Sequence, residues 1–169
     1  MKRSIRNIVS CYAWLLACSF TIQATSDIRT SSTQYDLPNF KPLFALSKRI
    51  VEFANNFRAK KGKKPLTWDR RLTNLSRGHS VNMGLNGVPF GHAGFDNRVR
   101  NFPSPALAAA ENIFMGSITG DIAKTIVDSW INSSEHRKNL LGNFNIAGVG
   151  LYKNSLGIWF VTQLLGLIN

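Results

Sequence analysis

The chain has 169 residues, 44% of them hydrophobic and 18% charged, with 21 Lys and Arg against nine Asp and Glu, a formal charge of +12 and two cysteines. That length and apolar fraction exclude wholesale disorder and predict one domain able to bury a core; two cysteines exclude a disulfide-dense mini-protein. The excess positive charge invites binding to nucleic acid or to another anionic surface.

The first 24 residues read as an export signal. Lys2, Arg3 and Arg6 form a basic start without an acid, the run from Ile8 to Phe20 is apolar, and Ile22 and Ala24 precede a cleavage point at Thr25. An uncleaved anchor is one alternative. A lipoprotein is another, because Leu15-Leu16-Ala17-Cys18 approximates a lipobox, which would leave the chain lipid-anchored through Cys18. Cleavage before Thr25 removes three of the 21 basic residues and both Cys11 and Cys18, leaving 18 cations against nine acids, a charge of +9, and no cysteine. Residues 25–41 are polar and read as a linker, and a single domain is expected over 42–169.

Leu43, Leu46, Ile50, Phe53, Ala54 and Phe57 recur at three- and four-residue steps and predict an amphipathic first helix, stopped by Gly62 and Pro65. Asp69 is placed to cap a second helix with Leu72, Leu75 and Met83 on one face, and His79 shares that face as a core or cleft-wall residue. The stretch from Val88 to Pro105, rich in glycine and proline, is expected to be mostly irregular loop. Asp121 is placed to cap a third helix with Ile122, Ile126, Val127 and Trp130 inward, and Ser134 reads as the cap of a short helix ending before Gly142. Then the pattern changes. Ala147–Lys153 and Ile158–Leu165, rich in β-branched and aromatic residues and separated by Asn154, Ser155 and Gly157, predict a closing β-hairpin. Helices first and strands last imply an α+β domain with helices packed on an antiparallel sheet.

Four motifs follow one another in order. Asn56-Phe57-Arg58 leads through Gly62 to Pro65-Leu66-Thr67-Trp68-Asp69, then come Gly91-His92-Ala93-Gly94-Phe95 with Arg98 close behind and Ala110-Glu111-Asn112-Ile113. The last runs from Trp130-Ile131-Asn132-Ser133-Ser134-Glu135-His136-Arg137-Lys138-Asn139-Leu140-Leu141 to Ala147-Gly148-Val149-Gly150. Over residues 43–166 this series resembles the CAP superfamily (cysteine-rich secretory proteins, antigen 5 and pathogenesis-related 1 proteins; SCP domains), in its short, cysteine-poor branch. The resemblance implies a three-layer α-β-α sandwich with a central antiparallel sheet. It also implies an extracellular setting and a cleft with two histidines and two acids, able in some members to hold a divalent cation such as zinc. Carried over by motif, His92, Glu111 and His136 fill three positions, with Asn112 beside them. The fourth, an acid three residues after the helix tryptophan, falls on Ser133, and Glu135 is the nearest acid in sequence.

The residues themselves carry less. Two imidazoles and a carboxylate can make three metal ligands with water in the fourth place, yet His92 and His136 stand 44 positions apart, so no local ligand spacing supports them. Read without the resemblance, each is a hydrogen-bonded structural histidine and Glu111 a carboxylate that fixes loop backbone. Ser133 or Ser134 with His136 suggests a serine hydrolase, but no nucleophile-elbow pattern surrounds either serine and capping is the simpler account. Arg137, beside His136, is either an anion ligand or an ordinary helix-surface cation.

Arg58, Lys60, Lys61, Lys63, Lys64, Arg70 and Arg71 put seven cations within 14 positions against Asp69 alone. Without interleaved aromatics or a DNA-binding motif, no nucleic acid is expected; the plain reading is a solvated face with no specific partner, and for an exported chain anionic lipids or surface polymers are better partners than nucleic acid. The leading expectation is a monomeric, secreted, non-catalytic module whose His/Glu cleft binds a lipid, a sterol or a divalent metal, with no transmembrane helix in the mature chain. The alternatives are a metal-dependent hydrolase using His92, His136 and Glu111, and an electrostatic binder acting through residues 58–71.

Overall fold

A computed structural model describes residues 41–169; the signal segment, Cys18 and all of the linker but Lys41 lie outside the described residues. Four strands form one sheet in the order β1-β3-β4-β2, where β1 is Thr67–Trp68, β2 Ala106–Gly116, β3 Ile146–Lys153 and β4 Trp159–Ile168. β2 and β3 both run antiparallel to β4, and the two-residue β1 joins β3 in parallel, so the antiparallel expectation holds for three strands and fails at one short edge. The hairpin forms with Lys153 opposite Trp159. Its turn is closed by Asn154, whose Oδ1 accepts from the amides of Leu156 (3.1 Å) and Ile158 (2.9 Å).

Helices cover both faces. α1 (Lys41–Lys60), α4 (Ile122–Asn132) and α5 (Ser134–Leu140) bury Ile50, Ala54, Ile126, Trp130 and Leu140 against Val149, Leu151, Val161 and Leu165. On the opposite face α2 (Arg70–Gly84) packs Leu72 near Leu164 and Ile146, and Met83 near Ile113 and Phe160. This is an α-β-α sandwich. With both faces covered, β4 is buried from Trp159 to Leu164 and on to Gly166, which explains its near-continuous apolar run.

Local chemistry sets the helix boundaries. The Asp69 carboxylate accepts from the Leu72 amide (2.8 Å) at the start of α2, and that of Asp121 from the Lys124 amide (3.2 Å) at the start of α4. α1 ends where the amides of Lys61 and Lys63 turn back to the Arg58 carbonyl and Gly62 takes φ +67°.

Two expectations change and one is refined. The Val88–Pro105 segment contains a six-residue helix, α3 (Phe95–Arg100), entered through Gly94 at φ +76°. Gly94 looks like a loop residue in the sequence, but its left-handed conformation is what lets α3 begin. Ser133, not Ser134, precedes the first turn of α5, and its hydroxyl bonds a side chain rather than the backbone. Arg58 is 2% exposed and no part of a surface patch. Its guanidinium donates to the carbonyls of Lys64 (2.9 Å), Leu140 (2.7 Å), Gly142 (3.0 Å) and Phe144 (3.3 Å), tying the α1–β1 loop to the segment after α5.

α2 lies directly on β3 because Gly148 and Gly150 have no side chains. A Cβ on Gly150 would overlap the Arg77 amide nitrogen and the Ser76 carbonyl carbon, both backbone atoms. Gly150→Ala should therefore destabilise the domain by on the order of 3 kcal/mol in urea unfolding. Gly78→Ala, in open space within α2, should be neutral or stabilising by up to about 1 kcal/mol.

Candidate functional site

β2 is the outer strand of the sheet, and its alternating side chains belong to different layers. Glu111 turns toward the α2–α3 side and Asn112 toward α5, so a site at this edge draws residues from both faces. The outward carbonyls of β2 are satisfied by side chains: Trp130 Nε1 donates to Ile113 O (3.1 Å) and Asn139 Nδ2 to Glu111 O (3.3 Å). A sheet edge that would otherwise offer itself for pairing is closed.

The Glu111 side chain is 2% exposed, and Arg98 of α3 compensates the charge. Arg98 Nε donates to Oε2 (2.7 Å) and Nη2 to Oε1 (2.8 Å), a two-pronged pair, while Nη1 donates to the Ala93 carbonyl (2.8 Å). His92 Nδ1 donates to Oε1 as well (2.8 Å). One arginine thus holds both the carboxylate and the turn that presents His92. A carboxylate can only accept here, so Nδ1 of His92 carries a proton, and Nε2 points away from this contact on a half-exposed ring, 54% of that side chain being accessible.

His79 supports this turn from α2. It is buried at 4% exposure, and its Nε2–H donates to the Gly91 carbonyl (2.8 Å), immediately before His92. Burial holds its pKa below the ordinary histidine value; Arg98 and His92 lower it further, against the raising influence of the Gly91 carbonyl and Glu111. It is a buried residue that braces the turn carrying His92.

His136 approaches from the other layer. Its Nδ1 pairs with Ser133 Oγ (2.9 Å), three residues earlier. Asn112, fully buried, donates to the His136 carbonyl (3.3 Å) and to Gln163 Oε1 (3.0 Å), and accepts from Asn139 Nδ2 (2.9 Å), fixing α5 to the sheet. Burial lowers the His136 pKa, with His92 lowering it further and Glu135 opposing, so the two imidazoles are close enough to feel each other's charge. Arg137 donates to the Ile131 carbonyl (2.7 Å) at the end of α4, an intramolecular role, and Glu135 is exposed and bonds to none of these groups.

Among the described residues no three His, Cys, Asp or Glu side chains converge as a metal ion would require. The donor chemistry agrees: both oxygens of Glu111 already accept from Arg98 or His92, and Ser133 stands where the second acid would be. The residues present do not fit a three-ligand zinc centre. Sequence reasoning missed Arg98 as the partner of Glu111; the available signal was a cation 13 residues ahead of an acid bound for a buried strand.

The family model for cysteine-rich secretory proteins, CAP, matches residues 51–164, and the chain belongs to this family. An uncharacterised Bacillus subtilis protein, YkwD, is 37% identical over 133 residues, covering 72% of this chain and 48% of its own length. The chain spans about half or less of the length of the curated relatives it matches. Among solved structures, an extracellular SCP-domain protein from Bacillus anthracis is similar at TM-score 0.63 and 27% identity, over 74% of this chain and 41% of that one. An outer surface protein of Borrelia burgdorferi shares the fold at TM-score 0.62 and 19% identity, over 78% and 96% of the two chains.

The lowered pKa values carry a sign. Below the unfolded histidine value of 6.5, the unfolded chain binds protons that folded His79 and His136 resist, so stability is complete above that pH and falls as the solution becomes more acidic. Urea unfolding at about pH 7.5 and about pH 5.5 should show the loss, and His79→Gln, which keeps a donor for Gly91, should flatten the dependence. Stability that rose on acidification would contradict the assignment.

Proposed function

We propose that the protein is exported and that its CAP domain binds an amphiphilic ligand, of the lipid or sterol class, without turning it over. The polar end of that ligand meets the free imidazole nitrogens of His92 and His136, and its apolar part lies on Phe90, two residues before His92 and 44% exposed. One observation carries the non-catalytic reading: both oxygens of Glu111 are committed to Arg98 and His92 inside the protein. A general base needs an oxygen within reach of water, and a catalytic zinc needs a third protein ligand; Glu111 serves neither purpose. The Ser133–His136 pair supplies half of a nucleophile–base arrangement, but among the described residues no carboxylate orients the second nitrogen of His136. Export is supported by the basic and apolar start of the chain and by the similarity to an extracellular SCP-domain protein.

Native mass spectrometry of protein exported by its own host tests the proposal. A small organic ligand is expected on the wild type and absent from the His92→Ala, His136→Ala double variant. The same spectrum reads the N-terminus, expected at Thr25, a lipidated Cys18 being the anchored alternative. Ester and peptide substrates should be hydrolysed at the blank rate, with or without added zinc. Turnover that disappears in His92→Ala, His136→Ala or Ser133→Ala would make the protein an enzyme and overturn the reading.

A further inference from the structure

With Arg58 withdrawn into the core, the basic stretch becomes a different object. Lys60, Lys61, Lys63 and Lys64 are all exposed and, among the described residues, take part in no ion pair. Between Glu52 and Asp69 the chain contains no acid, and the Asp69 carboxylate is engaged as the α2 cap. The four lysines flank a tight turn whose backbone is closed by the Lys61, Gly62 and Lys63 amides on the carbonyls of Arg58 and Ala59. Arg58 holds the far end of the loop through the Lys64 carbonyl. The cations are therefore carried on a braced loop, which lowers the entropic cost of gathering them around a ligand.

Along the chain the cations succeed one another from the end of α1 towards the edge strand β1, and exposed Arg71 follows in the first turn of α2. None of the large exposed apolar side chains (Leu85, Phe90, Leu107, Met115, Leu156) lies in this stretch, so it offers no anchor to insert into a bilayer, and its half-buried Trp68 is already packed against Phe44 and Lys48.

We propose that the Lys60–Lys64 loop is a docking strip for a linear polyanion carrying repeated phosphate or sulfate groups, a second binding surface independent of the histidine site. Binding to polyphosphate and to dextran sulfate, followed by fluorescence anisotropy over a range of salt, tests this and distinguishes the two anions. Affinity for at least one polymer should fall steeply with salt. Replacing Lys60, Lys61, Lys63 and Lys64 by Gln should reduce the slope of log affinity against log salt by roughly three to four, close to one per lost contact, with the thermal midpoint unchanged. A charge-matched control carrying Gln at Lys41, Arg100, Lys124 and Lys153 should bind as the wild type does. Equal losses in both variants would reduce the effect to net charge and overturn the proposal. So would tighter binding to phosphatidylglycerol vesicles or to single-stranded DNA than to either polymer.

Discussion

A carboxylate inside a protein must be compensated, and the manner of compensation at Glu111 organises this molecule's functional edge. Arg98 reaches it from α3 with two parallel hydrogen bonds and uses a third nitrogen on the Ala93 carbonyl. Breaking such a pair from one side leaves a bare charge in a low-dielectric interior, at a cost of roughly 3–5 kcal/mol. α3, the Gly91–Gly94 turn, His92 and the start of the long β2 pairing are thus held by a single electrostatic requirement. His79 adds the last tie, through the Gly91 carbonyl.

The opposite layer solves the same problem with neutral groups. Asn112, Asn139 and Gln163 join the β2–β4 pair to α5, and Ser133 fixes the His136 ring. Two imidazoles, each anchored through Nδ1, are in this way brought to one edge from two faces of the sheet. The common device leaves both Nε2 atoms without a hydrogen-bond partner among the described residues, while the acid that anchors one ring is buried.

Much of this was legible in the sequence, for physical reasons that differ by element. α1, α2 and α4 announce themselves because their buried residues recur with the helical period, and Asp69 and Asp121 mark two starts because a carboxylate there satisfies free amides. The hairpin is visible in its β-branched strands and in Asn154. β2 is not. Its Ala106–Ala110 half is rich in strong helix formers, and it is a strand because ten of its residues find partners along β4. The motif resemblance located His92, Glu111 and His136, but not what each would touch. Arg58 shows why: three of its four acceptor carbonyls lie 82 to 86 positions further on, and no local pattern distinguishes it from the lysines around it.

Glu111 is a structural anion held by Arg98. A double-mutant cycle on Arg98→Met and Glu111→Leu, read by urea unfolding at neutral pH, measures that dependence directly. Each single change should be strongly destabilising, and the double variant should recover much of the loss, giving a coupling energy of about 3 kcal/mol. Additive losses, with coupling near zero, would mean that Glu111 does not depend on Arg98 and would contradict the account.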